Sequence, residues 1–202
     1  MHRRKQIILA SASPRRKELL LLTGLPFKID PVNCEENMNI CVSPRRLSRI
    51  LSEKKARSAA GKYRDALIIA ADTFIVFRER IMGKPHTPDE ARKMLAALSG
   101  EVHTVITGFT VIDSRSGKRI SRSVETKVYF DKLARKEINA YVRTGEPLDK
   151  AGAYAIQGLG SIFVRRIEGD YFNVIGLPLN ALKSCLSKFG IGILHDFHKP
   201  LR

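Results

Sequence analysis

Two rhythms of apolar residues run along this chain. QIILA at residues 6–10 is a short apolar block of strand type, and DALIIAADTFIVFRER at 65–80 holds two more such runs, interrupted by Asp72-Thr73. VHTVITGFTVID and the stretch after it, where Val124, Thr126, Val128 and Phe130 alternate, predict a hairpin turning at Ser114–Lys118. The helical rhythm appears five times. Ser13-Pro14 starts the first helix as N-cap and first helical residue; it runs to about Leu22 and is closed by Gly24 and Pro26. Ser43-Pro44 starts the second with the same chemistry. Thr87 and Glu90 form a capping box for the third, whose stripe Ala91, Met94, Leu95, Leu98 faces a core before Gly100 ends it. The fourth buries Ile138, Tyr141 and Val142 and stops at Gly145, and the last begins near Pro178. Between them, DKAGAYAIQGLGSIFVRRIEGDYF predicts Gly-punctuated strands.

A chain of 202 residues can bury one sizeable core, so a single domain is expected, with room for two lobes. At 44% hydrophobic and 28% charged it has a globular composition. Its longest apolar runs, ALIIAA and LLLL, are too short to cross a bilayer, and MHRRKQIILASAS lacks the apolar core of a signal peptide. Cys34, Cys41 and Cys185 are odd in number and scattered, which points to a reducing cytoplasm. The net charge of +16 draws phosphate in any form. Because the Lys and Arg residues are spread over the whole chain without aromatic interleaving or a zinc-finger spacing, nucleic acid is not the expected partner.

The tetrapeptide SPRR occurs twice, at 13–16 and 43–46. Only the first copy follows a strand directly, and a helix N-terminus fed by a strand sits at the carboxyl edge of a sheet, where open α/β folds hold ligands and free N–H groups attract anions. Arg15 and Arg16 oppose the helix dipole, a conflict that an anionic ligand removes. Ala10, Ser11 and Ala12 let phosphate approach the backbone. The second copy, after the polar NCEENMNICV, has no such platform, and two tolerated surface arginines remain a reading for either copy. Asp72-Thr73 also has two readings, a bend between strands or a carboxylate placed as a general base. Lys55, four residues after Leu51, shares part of an apolar stripe and is expected to point inward.

LASASPRRKELL, EKKA, AADT, GKP, LSGEVHTVITG and LDKAGAYAIQGLGSIFVRRIEGDYFNVIGLPL, taken together over residues 7–189, resemble the Maf family, in the branch associated with dTTP and UTP pyrophosphatase activity. The resemblance implies one Maf-like domain over residues 1–202. Its fold would be α/β, an elongated mixed sheet with flanking helices and two lobes around a nucleotide cleft, similar to house-cleaning nucleotide pyrophosphatases. It implies hydrolysis of a nucleoside triphosphate to the monophosphate and pyrophosphate, with Asp72 as general base. Arg15, Thr73 and Gln157 would be the trio that marks the pyrimidine branch. Ser11 and Arg16 would form the phosphate platform, Lys55 and Lys84 would neutralise the triphosphate, and Glu36 would help hold a divalent metal cation, Mg²⁺ or Mn²⁺. Gln157 can both donate to and accept from a uracil-type edge. The five histidines are read as structural or solvated. The resemblance leaves a homodimer open, and with it a septum-linked or nucleic-acid-associated regulator of weak hydrolytic activity, or a shift toward modified pyrimidine nucleotides. It weakens only at the ends, MHRRK and IGILHDFHKPLR.

Overall fold

A computed structural model describes residues 5–32, 34 and 40–194. Seven strands form one mixed sheet: β1 (Gln6–Leu9), β2 (Phe27–Ile29), β3 (Ala66–Phe77), β4 (Arg80–Met82), β5 (Val102–Asp113), β6 (Arg119–Phe130) and β7 (Val164–Glu168). Their order is β2-β1-β3-β5-β6-β7, with β4 antiparallel on β3. The helices are α1 (Pro14–Leu21), α2 (Pro44–Ala60), α3 (Pro88–Leu98), α4 (Arg135–Arg143), the single-turn α5 (Tyr171–Ile175) and α6 (Leu179–Leu186). All five expected helices are present, and the α/β class with a mixed sheet and flanking helices holds. Among the described residues no helix is long and apolar enough to cross a membrane.

The chain divides into two compact units, one of Met1–Asp72, Thr107–Val124 and Gly176–Arg202, the other of Thr73–Ile106 and Glu125–Ile175. In the first unit β1 is parallel to both of its neighbours, with Leu9 opposite Ile29 on one side and Ile69 on the other. The chain leaves β1 through α1 to reach β2 and then through α2 to reach β3, so successive strands fall on opposite sides of β1. That reversal is the kind of place where open α/β sheets hold a ligand, outside the carboxyl ends of the strands. Both faces of β1 and the first half of β3 are buried, which explains why these strands read as unbroken apolar runs. Ile8, Ala10, Ile68 and Ala70 pack with Ala56 and Ala59 of α2. The alanines let α2 lie low on the sheet, and Gly108 of β5 marks the closest approach: a Cβ there would stand 2.1 Å from the Ser48 carbonyl oxygen.

In the second unit Ile75 and Phe77 pack with Leu95 and Leu98 of α3, Ile138 and Tyr141 of α4, and Phe130 of β6. The Thr87 hydroxyl caps α3 by accepting from the Glu90 N–H at 3.1 Å; the Glu90 carboxylate reaches back one residue further than expected, to the His86 N–H at 2.7 Å. His103 is enclosed here. Its Nε2 shares a 2.8 Å hydrogen bond with the Tyr154 hydroxyl, and its ring meets Phe130 and Tyr154 edge-on. Burial pushes its pKa down to about 4. The unfolded chain therefore takes up a proton near the ordinary value of about 6.5 that the folded chain refuses until about 4, so folding stability drains away as pH falls through that interval. Between pH 7 and 4.5 this should cost about 2–3 kcal/mol. Denaturant unfolding of the wild type and His103→Gln at both pH values checks it; equal losses in the two proteins would remove His103 as the cause.

Two expectations need correction. Asp72-Thr73 does not divide two strands, because β3 runs unbroken through both residues. An aspartate interrupts a strand when it turns to its own backbone, but Asp72 has a partner in Lys55. The Gly-punctuated stretch after Lys150 yields one strand, β7, preceded by 3-10 turns at Ala151–Ala153 and Leu159–Phe163. Left-handed backbone at Gly152 and Ala153 stops an extended run there.

Candidate functional site

The β1–α1 junction, α2 and the middle of β3 carry five of the expected residues. The Ala10 N–H donates to the Ile69 carbonyl at 2.8 Å, which carries the parallel register one residue beyond β1. The chain then turns into α1. The Ser11 hydroxyl accepts from the Ser13 N–H and from the Arg16 guanidinium, both at 3.2 Å, and the Arg16 Nε donates to the Gly176 carbonyl at 3.0 Å. Arg16 is thus pinned at two points, half-buried over the start of its own helix. Arg15 beside it is also half-buried, and the first turn of α1 contains no acidic residue to offset the pair. In the second SPRR copy Arg45 and Arg46 are exposed on α2. The first pair thus follows a strand and is half-buried, and the second is exposed.

Asp72 lies three residues beyond Ile69, about 10 Å further along β3. It is buried and forms an ion pair with Lys55 of α2, whose side chain is 12% exposed. A carboxylate in such a position is tolerated because the ammonium compensates it, and removing either partner alone typically costs about 3–5 kcal/mol. Lys55 points inward as its place in the apolar stripe implied.

The remaining residues belong to the second unit. Thr73 follows Asp72 within β3 and is half-buried. Lys84 is exposed just after β4, next to Gly83, whose carbonyl accepts from the Gly152 N–H at 2.9 Å. Gln157 is exposed in the loop between Tyr154 and Leu159, so a bound base would have to desolvate it. The loop is wrapped around Glu146, whose two carboxylate oxygens accept from the N–H groups of Leu159 and Gly160, both at 3.0 Å, and from the Tyr141 hydroxyl at 2.8 Å. Burial works against the charged form of Glu146, but these three donors and Lys150 outweigh it and hold the carboxyl below its usual range. Gly158, at φ 148°, permits the wrap: a Cβ there would stand 2.7 Å from the carboxylate.

Glu36 lies outside the described residues. Among the described residues no group of three His, Cys, Asp or Glu side chains could enclose a metal ion. Asp72 offers one hard oxygen donor, which fits a Mg²⁺-type ion held chiefly by phosphate oxygens and water and does not fit a closed protein cage. Sequence reasoning missed two groups. The Gly176 carbonyl carries no side-chain signal, and Glu146, just past the end of the fourth helix, drew no reading because nothing local marks a carboxylate that caps a distant loop.

The profile of the Maf family, described as Maf-like protein, matches residues 6–189. A dTTP/UTP pyrophosphatase of Methanosarcina barkeri is 50% identical over 193 residues, covering 95% of this chain and 98% of that one. A dTTP/UTP pyrophosphatase of Alkaliphilus oremlandii is also 50% identical, over 94% of this chain and all of that one. Among solved structures, a HAM1 protein from Coxiella burnetii matches with a TM-score of 0.50 at 18% identity, covering 92% of this chain and 100% of that one, a likeness of fold.

Proposed function

The chain belongs to the Maf family, and from that premise we propose that it hydrolyses dTTP and UTP to the nucleoside monophosphate and pyrophosphate. The observation that carries this reading is the buried Asp72–Lys55 pair midway along β3, three residues beyond the end of its pairing with β1, where the strand order reverses. Two relatives of near-equal length, each half identical to this chain, bear the name of that activity. We read residues 1–202 as one Maf-like domain that includes both compact units.

Lys55 fixes the orientation of the Asp72 carboxylate, which accepts a proton from the water that attacks the α-phosphorus as the bond to the β-phosphate oxygen breaks. Arg15, Arg16 and the Ser11 hydroxyl, at the positive end of the α1 dipole, bind phosphate oxygens, and Lys84 neutralises further charge. Asp72 and Glu36 would help hold a divalent cation, which would supply charge neutralisation and Lewis acidity. Gln157 and Thr73 choose the base. The three cysteines are free thiols, which supports a reducing cytoplasmic location; a house-cleaning role against non-standard pyrimidine nucleotides is our reading from the family.

A panel of triphosphates with Mg²⁺ tests the reading. dTTP and UTP should exceed dATP and dGTP in kcat/KM by more than about tenfold, since a wrong base leaves polar groups on both partners unsatisfied. Gln157→Glu should erode that preference by about tenfold while pyrophosphate release continues, because the phosphate contacts are blind to the base. Equal kcat/KM for purines and pyrimidines in the wild type, or full preference in the variant, would end the pyrimidine assignment.

A further inference from the structure

Glu146 is absent from the chemistry assigned so far, yet it is the hub of the segment that carries Gln157. Three donors converge on its carboxylate: the backbone N–H groups of Leu159 and Gly160, two and three residues after Gln157, and the Tyr141 hydroxyl. The same hydroxyl accepts from the Ala155 N–H at 3.2 Å, two residues before Gln157. Both ends of the turn are therefore tied to one Tyr141–Glu146 unit. Two glycines leave room for it. A Cβ on Gly158 would stand 2.7 Å from the carboxylate, and a Cβ on Gly160 would stand 2.5 Å from the Tyr141 hydroxyl. Tyr141 itself is anchored in the core, edge-on to Phe163. Gln157 lies at the exposed crest of this turn.

We propose that Glu146 is the positioning residue for base recognition, its carboxylate fixing the 155–160 turn so that the Gln157 amide is presented in one orientation. The proposal rests on the reading of Gln157 as the base-selecting group. An amide on a free loop would be ordered by each incoming base, at a cost that falls on every base alike; an amide on a fixed turn meets only a matching edge without rearrangement. A backbone-anchored carboxylate achieves this without touching the nucleotide, so its loss should act on selection and leave the hydrolytic step alone.

The test uses the full chain with Mg²⁺ and compares dTTP with dGTP in the wild type, Glu146→Gln, Tyr141→Phe and Gln157→Glu. Replacing one carboxylate oxygen by an amide NH2 sets a donor against a donor. Glu146→Gln should raise KM for dTTP and lower the dTTP:dGTP ratio of kcat/KM by about fivefold, with kcat within about twofold. The Leu159 and Gly160 amides should exchange faster with solvent. Tyr141→Phe, which keeps the ring packing, should shift the ratio in the same direction by a smaller factor, and it carries the test if Glu146→Gln does not fold. An unchanged ratio in the folded Glu146 variant, or in Tyr141→Phe where that variant stands in, overturns the proposal, as does a loss confined to kcat. If Gln157→Glu loses preference while Glu146→Gln and Tyr141→Phe keep it, positioning is wrong and the base-selecting amide stands. If all three keep it, the amide reading falls as well.

Discussion

Asp72→Asn is expected to lower kcat by about 100- to 10,000-fold, the span that a positioned general base contributes. The amide keeps the volume of the carboxylate and still offers an oxygen to Lys55, so the α2–β3 packing should survive. It cannot accept the proton of the attacking water. Triphosphate binding, measured by calorimetry with a non-hydrolysable dTTP analogue, should fall far less than turnover. The variant leaves the Lys55 charge without its counter-charge in a nearly enclosed position, so a lower melting temperature is expected alongside. Pyrophosphate release near the wild-type rate would sink the assignment of Asp72 as base.

The two SPRR copies give the second large contrast. Arg15→Ala should lower kcat/KM for dTTP by about 100-fold, because a charge-assisted hydrogen bond to phosphate is worth about 1.5–3 kcal/mol and Arg16, pinned to Ser11 and the Gly176 carbonyl, does not move to replace it. Arg45→Ala, at the matching position of the exposed copy, should stay within about twofold. Steady-state kinetics of both variants under the same Mg²⁺ and salt conditions decides the matter. Salt must be held fixed, since a chain of net charge +16 attracts any polyanion more strongly as ionic strength falls. Equal losses would mean that a strand leading into a helix distinguishes nothing here.

What the sequence revealed and what it concealed divide along a physical line. The β1–α1 junction was legible because its signals are local: an apolar run, small residues, then Ser-Pro. Lys55 was legible through helical spacing, since a cation four residues after a core leucine has few directions to point. Asp72 was half legible. Its charge inside an apolar run raised the question, but the answer, a strand that continues, depended on a partner 17 residues away. The segment after Lys150 misled because glycines serve strands, turns and close approaches alike, and remote partners such as the Glu146 carboxylate at Leu159 and Gly160 help decide among these. Glu146 and Gly176 act through partners remote in sequence, which a pattern of spacings does not register.

The hydrogen bond from Arg16 to the Gly176 carbonyl spans 160 residues. A ribosome adds about 5–20 residues per second, so many seconds pass between synthesis of the guanidinium and arrival of the carbonyl that holds it. During that interval β1 and α1 can form from local signals, but Arg16 lacks its Gly176 contact, and the phosphate platform proposed above is incomplete. Gly176 opens the last segment of the first unit, and that unit is itself assembled from three separate stretches of chain. On the proposed reading, competence to grip a triphosphate is thus acquired late in translation, and a nascent chain that stalls before residue 176 carries the arginine pair without the Gly176 contact that positions Arg16.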